Sequence, residues 1–216
     1  MVIEAIIWDF GGVITTSPFQ AFNRYERERG LPHDFIRRIN ATNPDTNAWA
    51  LFESDQISLD AFDELFAREA SVAGHEVRGR EVIALLAGDI RPRMVAALGR
   101  CKQHFRVGCI TNNVRAGHGP GMTADDGSAH AVAAVMSLFD CVIESSREGI
   151  RKPDPRIYQL ACEKLAVRPQ NAVFLDDLGI NLKPARALGM HTIKVEREDQ
   201  ALTELAAITG LDFSAG

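Results

Sequence analysis

No apolar run in this chain comes near the roughly 20 residues that a membrane-spanning helix requires. The first apolar run is interrupted by Glu4 and Asp9, so it does not read as a signal peptide. A cytoplasmic protein without membrane contact is expected. Basic clusters are missing as well: 24 Lys and Arg stand against 29 Asp and Glu, a formal net charge of −5. A mildly acidic surface has no general attraction for nucleic acid or anionic lipid, so neither is expected as a partner. Cysteine is sparse, with Cys101, Cys109, Cys141 and Cys162 spaced for neither a zinc site nor a redox pair. They read as reduced thiols serving as small hydrophobes. Repeats and low-complexity tracts are lacking too. What remains is an ordinary globular composition, 46% hydrophobic over 216 residues. That suffices for one large α/β domain or for a core carrying an insertion.

Short apolar runs occupy residues 2–8, 107–111, 141–144, 172–175 and 192–195. Each is rich in β-branched or aromatic residues and bounded by polar or turn residues, which suits parallel strands buried on both faces. Helical patterns fall between them at 92–103, 129–138, 155–165, 180–188 and 200–209. This alternation predicts a doubly wound parallel α/β sheet with right-handed crossovers. The stretch 16–95 is different. It carries helical patterns at 19–29, 33–40, 47–53, 59–73 and 78–86 and no convincing strand. Ser58 reads as an N-cap, with Phe62, Leu65 and Phe66 on one helix face. The expected division is therefore a core of residues 1–15 and 96–216, with a helical insertion of residues 16–95 serving as a lid. Trp49, Leu51, Phe52 and Phe66 in that insertion are expected to pack among its own helices.

In doubly wound sheets, ligands bind beyond the carboxyl ends of the strands. Asp9 ends the first run, Thr111, Asn112 and Asn113 the second, and Asp176 and Asp177 the fourth. Gly11 and Gly12 after Asp9 permit a sharp turn and close backbone approach. Thr111 and Asn112 offer a hydroxyl and amides for phosphate oxygens, though they would serve equally as a polar strand cap. Lys152, held near a helix start by Pro153 and Pro155, is either a fixed ammonium for a developing negative charge or an ordinary turn lysine. Adjacent carboxylates at a buried strand end are costly without a cation; a doubled N-cap would explain one of Asp176 and Asp177 but not both. The segment 115–128, with Gly117, His118, Gly119, Pro120 and Gly121, reads as a surface loop: Pro120 removes an amide that a phosphate-binding loop would use. His118 and His130 lack metal-ligand spacing and are expected to be exposed.

In order, these motifs resemble the haloacid dehalogenase superfamily. Residues 174–190, together with 143–146, 152–158 and 201–205, closely resemble the N-terminal phosphatase domain of soluble epoxide hydrolases. The resemblance implies a Rossmann-like core with a helical cap. It implies Asp9 as a nucleophile that forms an aspartyl-phosphate, and Mg²⁺ held by Asp9, the Gly11 carbonyl and Asp177, with Asp176 nearby. Thr111, Asn112 and Lys152 would bind the phosphoryl group of a small phosphorylated substrate. Lys152 would join Asp9 in catalysis, and Asn181 would support the acidic loop. One departure stands out: most phosphatases of the family carry a second aspartate, a general acid and base, where this chain has Gly11. Two alternatives follow from it. Dehalogenases of the superfamily also lack that aspartate and need no metal, but they would not be expected to keep Asp176 and Asp177 together. A catalytically weak phosphate-binding regulator is the other.

Overall fold

The computed structural model describes residues 2–113 and 126–213. Five short strands, β1 (Ala5–Trp8), β2 (Arg106–Thr111), β3 (Cys141–Glu144), β4 (Ala172–Asp176) and β5 (His191–Lys194), form one parallel sheet in the order β3-β2-β1-β4-β5. Between β1 and β2 come α1 (Pro18–Glu28), α2 (Phe35–Ala41), α3 (Ala48–Glu53), α4 (Leu59–Val72), α5 (Gly79–Ile83) and α6 (Pro92–Lys102). Then α7 (Asp126–Met136) precedes β3, α8 (Ser145–Glu148) and α9 (Pro155–Lys164) precede β4, α10 (Gly179–Ala187) precedes β5, and α11 (Glu198–Thr209) follows it. The expected doubly wound parallel α/β architecture is present, with the first strand at its centre. The segment 114–125, which holds most of the glycine-rich stretch and His118, lies outside the described residues. His130 on α7 is exposed.

Strand alternation explains the two buried faces. Ile6, Trp8, Val107, Cys109, Val173 and Leu175 point into one apolar cluster. Ala5, Ile7, Ile110, Ala172 and Phe174 point into the other. Successive strand residues face opposite sides, so a run that must cover both sides reads as continuously apolar. The first strand is shorter than its apolar run. The Glu4 N–H still reaches the Asn171 carbonyl at 2.8 Å, but Val2 projects beyond the neighbouring strands and is exposed. Cys101, Cys109 and Cys162 are buried and unpaired, and burial pushes the Cys101 thiol up to about 12 and the Cys162 thiol up to about 11. Such thiols are packing groups, as expected.

Helices α1–α5 have an apolar core of their own, built around Phe22, Phe35, Ile36, Phe52, Phe62 and Phe66. Phe52 and Phe62 stack with ring centres 4.6 Å apart. Ser58 caps α4 as expected, accepting the Ala61 N–H at 3.2 Å. Helix α6 turns back to the sheet and packs Met94, Ala97, Leu98 and Cys101 into its first cluster. The chain leaves and re-enters the sheet layer through two segments that lie side by side. Thr15 bridges Ile90, the Thr16 N–H bonds the Asp89 carbonyl at 2.8 Å, and the Arg91 N–H bonds the Ile14 carbonyl at 2.9 Å. Periodicity missed this pairing because it is a single bridge, too short to leave an alternating pattern.

The start of α2 illustrates tertiary capping. Asp34 sits at φ 57° and gives no side-chain cap. Buried Glu26 of α1 does so instead, accepting the Asp34 N–H at 2.8 Å and the Ile36 N–H at 2.9 Å. Replacing it strands both donors in a covered site. Glu26→Ala is therefore expected to lower unfolding free energy by about 1–3 kcal/mol, read by urea denaturation; a change within about 0.5 kcal/mol, the range of ordinary surface substitutions, would contradict this account.

Candidate active site

Strand register builds the rim. Trp8 of β1 pairs with Cys109 of β2 on one side and Leu175 of β4 on the other. The next residues, Asp9 and Asp176, therefore emerge at the same level, and the Asp9 N–H bonds the Leu175 carbonyl at 2.8 Å. Lys152, in the turn before α9, inserts between them. Its Nζ lies 2.7 Å from Asp9 Oδ1 and 2.8 Å from Asp176 Oδ2, and the residue is 2% exposed.

Each member of this trio is held by neighbours. Asp176 is fully buried and has both oxygens engaged. Oδ1 accepts from the Leu178 N–H at 2.8 Å and from Asn181 Nδ2 at 3.1 Å, while Oδ2 accepts from Lys152 and from Asn181 at 3.1 Å. Asn181 thus donates to both carboxylate oxygens of Asp176. Tyr158 pins it in turn, its hydroxyl donating to the Asn181 carbonyl at 2.7 Å. Asn112 follows β2 and borders the cavity. Its side chain grips the Lys152 backbone, accepting the N–H at 2.8 Å and donating to the carbonyl at 3.0 Å. The side-chain amide is thus committed to fixing the lysine loop. Asn113 is likewise structural: Nδ2 donates to Glu144 at 2.8 Å, and Oδ1 accepts the Ser146 hydroxyl at 3.0 Å.

Asp9 and Asp177 are less fully engaged. Asp9 Oδ1 accepts the Phe10 N–H at 2.7 Å and the Lys152 ammonium, and among the described residues no hydrogen bond reaches Oδ2. Asp177 accepts the Ser17 hydroxyl at 3.2 Å. Gly12, at φ 79°, lies under the Asp177 carboxylate; a β-carbon there would fall 2.2 Å from Oδ2. That glycine is required both by its left-handed dihedral and by the contact. Arg91 braces the same turn, donating to the Gly12 carbonyl at 3.0 Å. Gly11 differs: a β-carbon there would meet nothing within 4 Å.

Oxygens of Asp9, Asp176 and Asp177 lie within 4.8 Å of one another. Three carboxylates against one ammonium leave two uncompensated negative charges if all are ionised. The acids respond accordingly. Burial, opposed by Lys152 and reinforced by Asp176 and Asp177, holds the Asp9 carboxyl well above the usual carboxylate range. Burial, reinforced by Asp176, pushes Asp177 up to about 6. An all-oxygen donor set with a deficit of two charges fits a hard divalent cation such as magnesium.

The rim opens into a cavity of about 460 Å³ lined by both layers. Asp9, Gly11, Thr111 and Asn112 line it from the sheet side, and Phe19, Trp49 and Glu53 from the helices. Phe52 and Phe66 pack inside the helical layer as expected, and Trp49 packs edge-to-face on Phe62 while also bordering the cavity. Two further residues had been given no role. Glu53 and Arg151 pair across the layers at 2.5 Å, and Arg151 also donates to the Pro44 carbonyl at 3.3 Å. A charged residue ending one helix and another in a distant turn give no local signal of pairing.

The raised Asp177 carboxyl has a pH consequence. A carboxyl whose folded pKa exceeds its unfolded value favours the protonated fold, so its penalty builds as pH rises from about 4 and is complete above about 6. In chelator, Asp177→Asn should therefore gain stability relative to the wild type between pH 4 and pH 7, and magnesium should erase that gain. Parallel denaturation curves at pH 4.5 and 7 check this; a pH-independent difference would contradict it.

The haloacid dehalogenase-like hydrolase family model matches residues 3–189. The chain is 43% identical over 229 residues to bifunctional epoxide hydrolase 2 of Sus scrofa, covering 99% of this chain and 40% of that protein. It is 32% identical over 211 residues to phosphatase MT3486 of Mycobacterium tuberculosis (strain CDC 1551 / Oshkosh), covering 93% of this chain and 90% of that one. The chain spans 20% to 40% of the length of the longer curated relatives it matches. Among solved structures, a haloacid dehalogenase family enzyme from Bacteroides thetaiotaomicron in complex with magnesium and inorganic phosphate superposes with a TM-score of 0.57 at 17% identity, over 91% of this chain and 97% of that one. At that identity the likeness shows the fold. With the sheet order, the rim and a family match over most of its length, the chain belongs to the haloacid dehalogenase-like hydrolases.

Proposed function

We propose that this chain hydrolyses small phosphomonoesters with magnesium, through an aspartyl-phosphate on Asp9. The observation that carries the reading is the state of the Asp9 carboxylate. One oxygen is anchored by Lys152 and the Phe10 amide, while the other has no hydrogen bond among the described residues, and the residue borders the cavity. An oriented carboxylate with one uncommitted oxygen is the arrangement a nucleophile requires.

The other roles follow from position. Asp9, the Gly11 carbonyl and Asp177 would hold magnesium, and Asp176, bonded through both oxygens, completes the acidic cluster. When bound, the cation supplies the missing positive charge and polarises the phosphoryl oxygens. Lys152 adds a fixed ammonium beside the transferring group. Thr111, buried at the end of β2 and bordering the cavity, offers a hydroxyl to a phosphoryl oxygen. The Asn112 side chain acts indirectly by holding Lys152. Residues 16–95 act as the cap, closing on substrate and excluding water. The phosphatase among the relatives and the magnesium and phosphate in the solved neighbour support this assignment.

A dehalogenase would have no use for a deficit of two charges beside its nucleophile, and the buried acids speak against it. With saturating magnesium, p-nitrophenyl phosphate should be turned over, activity should vanish in chelator, and Asp9→Asn should lose at least about 10³-fold, the scale of removing a covalent nucleophile. Phosphate binding without turnover would point to a regulatory protein, and halide release from 2-haloacids in chelator to a dehalogenase.

A further inference from the structure

Gly11 leaves the nucleophile without an acid on its own turn, and the cavity offers one from the opposite wall. Glu53, the last residue of α3, lines the same cavity as Asp9 and Gly11. Four carboxylates border that cavity among the described residues: Asp9, Asp45, Glu53 and Asp177. Asp9 and Asp177 belong to the acidic cluster, and Asp45 is exposed. Glu53 is the remaining buried one, with its side chain 10% exposed. Arg151 Nη1, 2.5 Å away, and the Trp49 indole hold its carboxyl in place. Burial raises that carboxyl above its ordinary range even against the pull of Arg151, which is the direction an acid needs. The space beside Gly11 is open, since apart from its two chain neighbours nothing lies within 4 Å of where its β-carbon would stand. A leaving group therefore has room between the two walls.

We propose that Glu53 is the general acid and base of this active site, doing from the helical layer what residue 11 cannot. The inference rests on the phosphomonoesterase reading above. In the first half-reaction Asp9 Oδ2 bonds to phosphorus while the ester P–O bond breaks. The Glu53 proton passes to the departing alkoxide oxygen, and the alcohol leaves. In the second half the Glu53 carboxylate takes a proton from water as the water oxygen bonds to phosphorus. The Asp9–phosphorus bond breaks, Asp9 returns as a carboxylate, inorganic phosphate departs and Glu53 is protonated again. Because α3 belongs to the helical layer, the acid is in place only while that layer is seated on the sheet. Arg151, bonded to both Glu53 and the Pro44 carbonyl, ties the two together.

Leaving groups test this directly. A p-nitrophenolate departs without a proton, whereas an alkoxide does not. With magnesium, Glu53→Gln should lower kcat/KM for butyl phosphate by about 10²–10³-fold, within the usual range of general acid catalysis. For p-nitrophenyl phosphate kcat/KM should stay nearly unchanged, while kcat falls and rapid mixing shows a burst of one nitrophenolate per enzyme as the phosphorylated enzyme accumulates. Adding Gly11→Asp to Glu53→Gln should restore butyl phosphate turnover. Equal losses of kcat/KM on both esters without a burst would mean Glu53 merely seats Arg151, and unchanged butyl phosphate turnover would equally overturn the proposal. A wild-type protein that turns over neither ester with magnesium removes the underlying phosphatase reading, and this inference with it.

Discussion

A buried ammonium, that of Lys152, lies between two buried carboxylates, and the geometry of the rim depends on it. Taking such charges out of water costs several kcal/mol each, and only close pairing with further hydrogen bonds offsets it. The fold meets that requirement from four directions. β1 delivers Asp9, β4 delivers Asp176, the turn before α9 delivers Lys152, and the end of β2 delivers the Asn112 clamp on the Lys152 backbone. Shift any one of these by a residue and a charge is left unpaired in a dry interior. The trio therefore specifies the register of the sheet ends as much as it prepares chemistry.

The neighbouring acids divide the work. Asp176 has both oxygens satisfied by Lys152, Asn181 and the Leu178 amide, so it anchors. Asp9 and Asp177 retain unmatched charge, and their carboxyls are driven upward. Unpaired charge in a covered site is a stability cost that a folded chain retains where a ligand compensates it. A divalent cation would do so for both acids at once.

The helices between β1 and β2 form a second apolar cluster, yet they do not stand apart from the rim. The cavity takes walls from both layers, and the Glu53–Arg151 pair spans them. Charges that are buried on either wall of that cavity interact more strongly than they would in bulk water. Gly11 and Glu53 border the same cavity from opposite layers. The turn is stripped of a side chain while the facing wall carries a buried carboxyl.

What was legible in the sequence was whatever leaves a local trace. Five apolar runs became five strands because a doubly buried strand must be apolar throughout. Asp9, Thr111, Asp176 and Asp177 could be placed on one rim because ligands collect at strand carboxyl ends. Ser58 was readable as a cap because capping is a contact three residues long. Other features were invisible for the same physical reason in reverse. Glu26 capping α2, Asn112 turning its amide to the Lys152 backbone, Trp49 bordering the cavity and Glu53 meeting Arg151 are all contacts between distant segments. Which partner such a side chain takes depends on how the layers dock, and only the folded chain decides that. Residue type set what each group is able to bond; tertiary packing chose the bond, because burial makes every unsatisfied polar group too costly to leave to chance.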